Sequence, residues 1–357
     1  MFKNEQSLYI KKMSKQILDE DIKQFVETFE LTDQLRGATF LITGATGLIG
    51  SVLTKCLLEL NNQNHLDLKI IVGVRNQKKA ESVFGNNISA LTILTMDFSD
   101  DRECYKMPKV DYVIHLASPT SSRFFVEKPV ETLRTAIEGT DFMLAYAQQA
   151  DIKAMVYASS LEVYGSNLTD DWIKEDFQGY VNPTEVRSSY NIGKRACECL
   201  CHSYAKEYGV NVMIARMTQT FGAGVEYNDN RVFAQFARNA IEGKDIELHT
   251  EGKTCRMYCY TIDAVRAMLY LILKGEKGEA YNIANKDSYI SIRDMALLIK
   301  DLFNKNINVV FVPKEGLGYA PETKLRLDTE KIESLGWKPQ YGIKTMFERL
   351  LKSFIHQ

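Results

Sequence analysis

The sequence predicts an α/β protein: a parallel sheet wound on both faces by helices, followed by a smaller mixed α/β domain. Three observations carry that expectation. Short apolar runs alternate with helical stretches between residues 39 and 216, a glycine-rich loop joins the first run to the first helix, and the regularity breaks down beyond residue 217.

Residues 1–36 read as an N-terminal helical extension, because Leu18, Ile22, Phe25, Val26 and Phe29 recur at helical spacing. Docking onto the body and contact with another subunit are both open to it. Thr39–Thr43 is the first expected strand and Leu48–Leu60 the first core helix. Further β-type runs lie at Ile70–Val74, Leu91–Leu94, Tyr112–Leu116 and Ala154–Ala158, with a helix over Val130–Gln149. A long helix from about Ser189 to Tyr208 precedes one more strand at Asn211–Arg216. This alternation makes residues 37–216 a dinucleotide-binding domain of the doubly wound, Rossmann type, and leaves 217–357 as the second domain. There Gly222 and Gly224 lead to a helix at Val232–Glu242, strands at Glu247–His249, Tyr281–Ile283 and Val309–Val312, and helices at Ile262–Leu273 and Ile292–Phe303. Some of that chain is expected to return to the sheet. The rest should sit at its carboxyl edge, where open α/β folds bind ligands.

Composition narrows the function. The 357 residues are 45% hydrophobic and 25% charged, enough to bury a sizeable core. The formal net charge is -2 and the basic residues are scattered, so no stripe for nucleic acid is built. No apolar run reaches bilayer length and the first residues are polar, which places the protein in the cytoplasm, away from membranes. Seven cysteines without framework spacing read as free thiols of a reducing compartment. Cys197 and Cys201 share a helix face while Cys199 points elsewhere, so no metal site is expected.

The segment Thr43-Gly44-Ala45-Thr46-Gly47-Leu48-Ile49-Gly50 is a candidate phosphate loop. Gly44 lets the chain turn tightly, Gly47 lets backbone approach a pyrophosphate, and Gly50 lets helix pack on strand. The second strand ends in Arg75 rather than in an acid for a ribose hydroxyl, which keeps both NAD(H) and NADP(H) open. Asp97, after the third strand, is a candidate adenine contact.

Tyr190 and Lys194 stand four apart on one helix face. An unperturbed phenol titrates near ~10, too high for a base at neutral pH, and an adjacent ammonium together with an oxidised nicotinamide ring is expected to lower it. Ser160, at the end of the fifth strand, is placed to bond a substrate hydroxyl while Tyr190 takes its proton. Glu162 lies two residues on.

With the glycine loop, His115-Leu-Ala-Ser118, Ser160, Tyr190 and Lys194 in this order, the chain resembles extended short-chain dehydrogenases/reductases of the NAD-dependent epimerase/dehydratase group, which act on nucleotide sugars. Arg256 before Asp263 and Leu335-Gly-Trp337 continue the likeness. Val181-Asn-Pro183, Arg187-Ser-Ser-Tyr190 and Gly193-Lys-Arg195 are similar to UDP-glucuronate decarboxylases.

The resemblance implies Ser160, Glu162, Tyr190 and Lys194 as catalytic residues, with Glu162 acting after ring oxidation. It implies Phe98, Leu116, Ala117 and Ser118 as cofactor contacts beside the loop residues. It implies Ser118, Thr120, Ser160, Gln219, Arg231, Val232 and Arg256 as substrate contacts. It further implies a homodimer, NAD(H), and a transient 4-keto sugar in a decarboxylase- or epimerase-type reaction. Alternatives are an NADPH-dependent keto-sugar reductase and a nucleotide-hexose 4,6-dehydratase. The chain departs from the dehydratases in having Leu161 where they carry an acid. It departs from the decarboxylases in having Gln219 and Gly222-Ala-Gly224 where they carry Asn and Gly-Pro-Arg.

Overall fold

The computed structural model of the chain describes residues 16–97, 107–313 and 322–355. Its centre is a seven-stranded parallel sheet in the order Ala280–Ile283, Val212–Met217, Ala154–Ser160, Tyr112–His115, Thr39–Thr43, Lys69–Val74, Thr92–Thr95. Parallel strands need covered crossovers, so the inner strands are apolar on both faces. Neighbouring residues accordingly enter different cores. Phe40, Ile42, Ile114, Val156, Met213 and Ala215 pack on one side, and Leu41, Val113, Met155, Tyr157, Val212 and Ile214 on the other.

Helices Pro129–Gln149 and Ser188–Glu207 close the second face through Met143, Leu144, Ala147, Cys197 and Cys201. Helices Leu48–Asn64 and Thr261–Lys274 close the first. The second of these is buried almost along its whole length.

The return to the sheet is made by Ala280–Ile283, which pairs in parallel with Val212–Met217. Around it the chain builds a second sheet that periodicity did not reveal. Asn285–Ser291, Cys255–Tyr260, Lys324–Leu327 and Trp172–Ile173 lie side by side, with Gln219–Phe221 paired to Cys255–Tyr260. A small pair joins Ile246–Leu248 to Val309–Phe311. A helix at Gln77–Phe84, capped by the Asn76 side chain on the Lys79 N–H, was also not expected.

The extension forms a helix over residues 16–28 that docks on the body, with Phe25 fully buried. Its polar groups are anchored as firmly as its apolar ones. Tyr260 donates to Asp21 at 2.6 Å, Arg349 Nε lies 2.6 Å from the other Asp21 oxygen, and Tyr341 donates to Gln24 at 2.6 Å. Arg266 donates to both the hydroxyl and the carbonyl of Thr28. Among the described residues no helix is long and apolar enough to cross a membrane.

Candidate active site

The carboxyl ends of four neighbouring parallel strands make one cleft floor. Thr39–Thr43 runs into Gly44–Gly47, Tyr112–His115 into Leu116–Thr120, Ala154–Ser160 into the turn Leu161–Tyr164, and Val212–Met217 into Gln219.

The glycine loop is shaped by close approach. Gly44 adopts φ +67, and a Cβ there would lie 2.8 Å from the Ala117 nitrogen. A Cβ at Gly50 would lie 2.5 Å from the Gly44 carbonyl oxygen, so only glycine lets the helix start against its own loop. Gly47 is the extended residue before Leu48–Asn64; no side chain caps this helix and its first turn holds no acid. Uncapped N–H groups and the positive end of a 17-residue helix suit a pyrophosphate, and the bare glycine backbone leaves room for one. The residues present therefore fit a dinucleotide. Thr46, Leu48 and Ile49 are half-buried around the loop, and Leu116, Ala117 and Ser118 stand half-buried beside it. Arg75 is exposed at the end of the second strand, Asp97 is half-buried, and Phe98 lies outside the described residues.

From this loop a line of contacts leads to the tyrosine. Thr43 Oγ1 lies 2.7 Å from His115 Nδ1, and the His115 ring stacks on Tyr157 at 5.9 Å. Burial, reinforced by the Lys194 charge, pushes His115 down to about 3, so it stays neutral here. Lys194 Nζ sits 4.8 Å over the Tyr157 ring and 5.8 Å from the centre of the Tyr190 ring, donating to the Ala158 carbonyl at 2.7 Å. Burial lowers Lys194 to about 8.

Tyr190 shows a difference from the sequence expectation. Burial pushes its phenol up to about 12, the Glu162 charge pushes the same way, and the groups pulling it down are the Ser160 hydrogen bond and Arg187. Among protein groups the Ser160 hydrogen bond and Arg187 favour the phenolate, with the Lys194 charge 5.8 Å from the ring centre. Ser160 is oriented for this, because its oxygen accepts the Glu162 N–H at 3.2 Å and its own proton stays available to Tyr190.

Glu162 is not free at rest. Both its oxygens accept from Arg187 Nη2, at 2.9 and 2.8 Å, and Asn191 donates to its carbonyl. Arg187 lies 5.1 Å over the Phe125 ring, and Phe125 stacks on Tyr190 at 4.2 Å. Sequence reasoning quoted Arg187 only as part of a motif. Its position three residues before the tyrosine, on the same helix face, was the available signal.

The expected substrate-side residues divide between the two sheets: Ser118, Thr120 and Ser160 follow or end strands of the parallel sheet, and Gln219 and Arg256 lie in the second. Gln219 is in register with Tyr258, two residues beyond Arg256 on the same strand. The Arg256 Nε is buried without a partner among the described residues. Arg231 is held by Asp229 through several bonds and by the Thr220 carbonyl, with Val232 opening the next helix. Thr120 is exposed. Leu161 is buried with Val163 in an apolar cluster. A separate cleft of about 880 Å³ lies behind helix Ser188–Glu207, lined by Glu198, Arg216, Lys331 and Glu279. Its charges are paired with one another, Arg216 with Glu198 and Lys331 with Glu279.

Comparison with known proteins agrees with this geometry. Residues 40–284 match the model of the NAD dependent epimerase/dehydratase family. UDP-glucuronic acid decarboxylase 5 of Arabidopsis thaliana is 29% identical over 85% of this chain and 85% of its own length. UDP-glucuronic acid decarboxylase 1 of Danio rerio is 29% identical over 88% of this chain and 72% of its own. The fold is shared with UDP-glucose 4-epimerase of Thermotoga maritima, solved with UDP-glucose, at TM-score 0.73 and 23% identity, covering 88% of this chain and 99% of that one. It is shared equally with dTDP-glucose 4,6-dehydratase of Streptomyces venezuelae, solved with NAD and TYD, at TM-score 0.74 and 22% identity, covering 88% and 96%. The chain belongs to the NAD dependent epimerase/dehydratase family and is an enzyme that modifies nucleotide sugars.

Proposed function

We propose that the enzyme works through a transient 4-keto sugar, in a reaction of the decarboxylase or epimerase type, with NAD(H) held on the glycine loop. The observation that carries this reading is the joined set of Ser160, Tyr190 and Lys194 at the carboxyl ends of the strands. When bound, the nicotinamide supplies the chemistry of accepting and returning a hydride.

Tyr190 takes the proton of the C4 hydroxyl and later returns it. Ser160 holds that oxygen, and Lys194 keeps positive charge beside the phenol and the dinucleotide. Glu162 is the carboxylate available once the ketone has acidified the neighbouring carbon. Buried Leu161 offers no acid for a departing 6-hydroxyl, which favours these reactions over 4,6-dehydration. The unpaired Arg256 Nε supports an anionic group of the substrate at the second sheet, with Gln219, Arg231 and Val232 beside it. Ser118 and Thr120 complete the sugar side.

In this reading residues 37–216 carry the dinucleotide and 217–357 the nucleotide sugar, with 1–36 as an extension. The free cysteines support a reducing, cytoplasmic setting, and the protein acts as a homodimer.

The test is incubation with UDP-, dTDP-, CDP- and GDP-sugars, with product masses read. Loss of carbon dioxide or unchanged mass with epimerisation supports the proposal, and loss of water overturns it. Exposed Arg75, with no acid in its place, supports one second reading, a reductase that uses NADPH and acts on a keto sugar. Consumption of NADPH one-for-one with substrate selects it.

A further inference from the structure

Resting on the proton-transfer role just assigned to Tyr190, we propose that Arg187 is a positioning residue of the reaction: it pins the Glu162 carboxylate and cancels its charge where that charge faces the Tyr190 phenol. The geometry gives Arg187 two sets of contacts. It grips both oxygens of Glu162 from one guanidinium nitrogen, and its other terminal nitrogen reaches Asn191 at 3.2 Å. Its guanidinium carbon also lies 5.1 Å from the centre of the Phe125 ring, which stacks on Tyr190 at 4.2 Å, so cation and phenol share one aromatic neighbour.

The electrostatic consequence follows from which groups face Tyr190. The turn after the fifth strand brings Glu162, which opposes the phenolate, and the strand itself brings Ser160 and Tyr157. The helix start brings Arg187, the helix body brings Lys194, and helix Ser122–Glu127 contributes the uncharged Phe125 ring. Lys194 is directed at the Ala158 carbonyl. Arg187 is therefore the cation set directly against the Glu162 carboxylate, which opposes ionisation of Tyr190. A carboxylate released from that pair would do more than lose its place. It would put an uncompensated negative charge beside a group that must itself become negative.

Both side chains are partly open to water, 34% for Arg187 and 24% for Glu162, so the effect is moderated by solvent. A shift of about one pH unit is expected when the cation is removed.

The experiment is a set of four variants, Arg187→Met, Arg187→Lys, Glu162→Gln and the double variant Arg187→Met with Glu162→Gln. Each is read by carbon NMR of ring-labelled tyrosine, from neutral pH to about pH 11, with and without bound NAD+. Tyr190→Phe identifies the resonance. Arg187→Met moves the onset of Tyr190 ionisation up by about one pH unit. Arg187→Lys keeps it near the wild-type position, Glu162→Gln moves it down, and the double variant returns it towards wild type. The acid limb of kcat/KM moves with Arg187 alone, with about a tenfold loss for Arg187→Met on that limb and a near wild-type limb for Arg187→Lys; the Glu162 variants are read by titration only.

An unchanged Tyr190 titration in Arg187→Met, or a double variant that fails to return, overturns the proposal. Should Arg187→Met fail to fold, Glu162→Gln alone decides, since an unmoved titration there overturns it equally. A wild type that turns over no nucleotide sugar, with the NMR order intact, defeats the functional reading and leaves the charge arrangement standing.

Discussion

Two of the buried polar clusters among the described residues are built on opposite terms. Under the N-terminal helix, Asp21, Tyr260, Arg349, Gln24 and Tyr341 satisfy one another and close a seam between distant parts of the chain. Nearby, Asp263 accepts from the Gln340 and Tyr341 N–H groups. At the carboxyl ends of the strands, Lys194 instead donates, among the described residues, only to the Ala158 carbonyl, Ser160 accepts the Glu162 N–H, and Tyr190 stacks on Phe125. A cluster that closes on itself holds structure. One that leaves its donors and acceptors facing a cleft gives up stability to stay ready for a ligand.

The widest separation of the two should come from Tyr190→Phe. It is expected to lower kcat by about 10³-fold, within the range for a lost acid–base group. Thermal unfolding should scarcely move, because the ring and its stack on Phe125 remain. A stability loss with activity retained would reverse the roles of the clusters. Arg349→Met should do the opposite, costing about 3 kcal/mol of unfolding free energy by leaving Asp21 buried without its cation, with kcat unchanged. Denaturant unfolding and initial rates on the same samples check both halves.

A smaller effect sharpens the contrast through pH. Burial raises Asp21 from 3.8 to about 6, so between these values the folded state binds more protons than the unfolded one. Its contribution is thus fully present below about pH 4 and is lost as pH rises through about 6. Relative to Asp21→Asn, the wild type should lose about 3 kcal/mol across that window, at about 1.4 kcal/mol per unit. Unfolding curves at several pH values decide it, and parallel curves for the two proteins would remove Asp21 from the account.

The same contrast explains what could be read from the chain. The sheet was legible because each inner strand is a short run apolar on both faces, bounded by glycines or polar turns, as at Thr39–Thr43 and Ala154–Ser160. The helix over 16–28 was legible by spacing, yet its docking depends on Tyr260, Arg266 and Arg349, more than two hundred residues away. The second sheet was not legible. Trp172–Ile173 and Lys324–Leu327 are short, and Asn285–Ser291 is largely polar, so these strands are fixed by partners remote in sequence rather than by local pattern. In the cleft, order and spacing gave Ser160, Tyr190 and Lys194 as candidates. The Glu162–Arg187 pair escaped because a turn residue and a helix start meet only in the folded chain. The burial that raises the phenol was not legible either, since spacing says nothing about how deeply a side chain is enclosed.

The seventh strand of the parallel sheet, Ala280–Ile283, follows the strand Cys255–Tyr260 of the second sheet and the covering helix Thr261–Lys274. No single cut can then release the dinucleotide half as a self-sufficient fragment. Truncation after residue 216 would strip an edge strand and a covering helix together, exposing the apolar flank of Val212–Met217 to aggregation. The two ligand-bearing parts are in this sense a single folding unit, joined by a strand that one lends to the other.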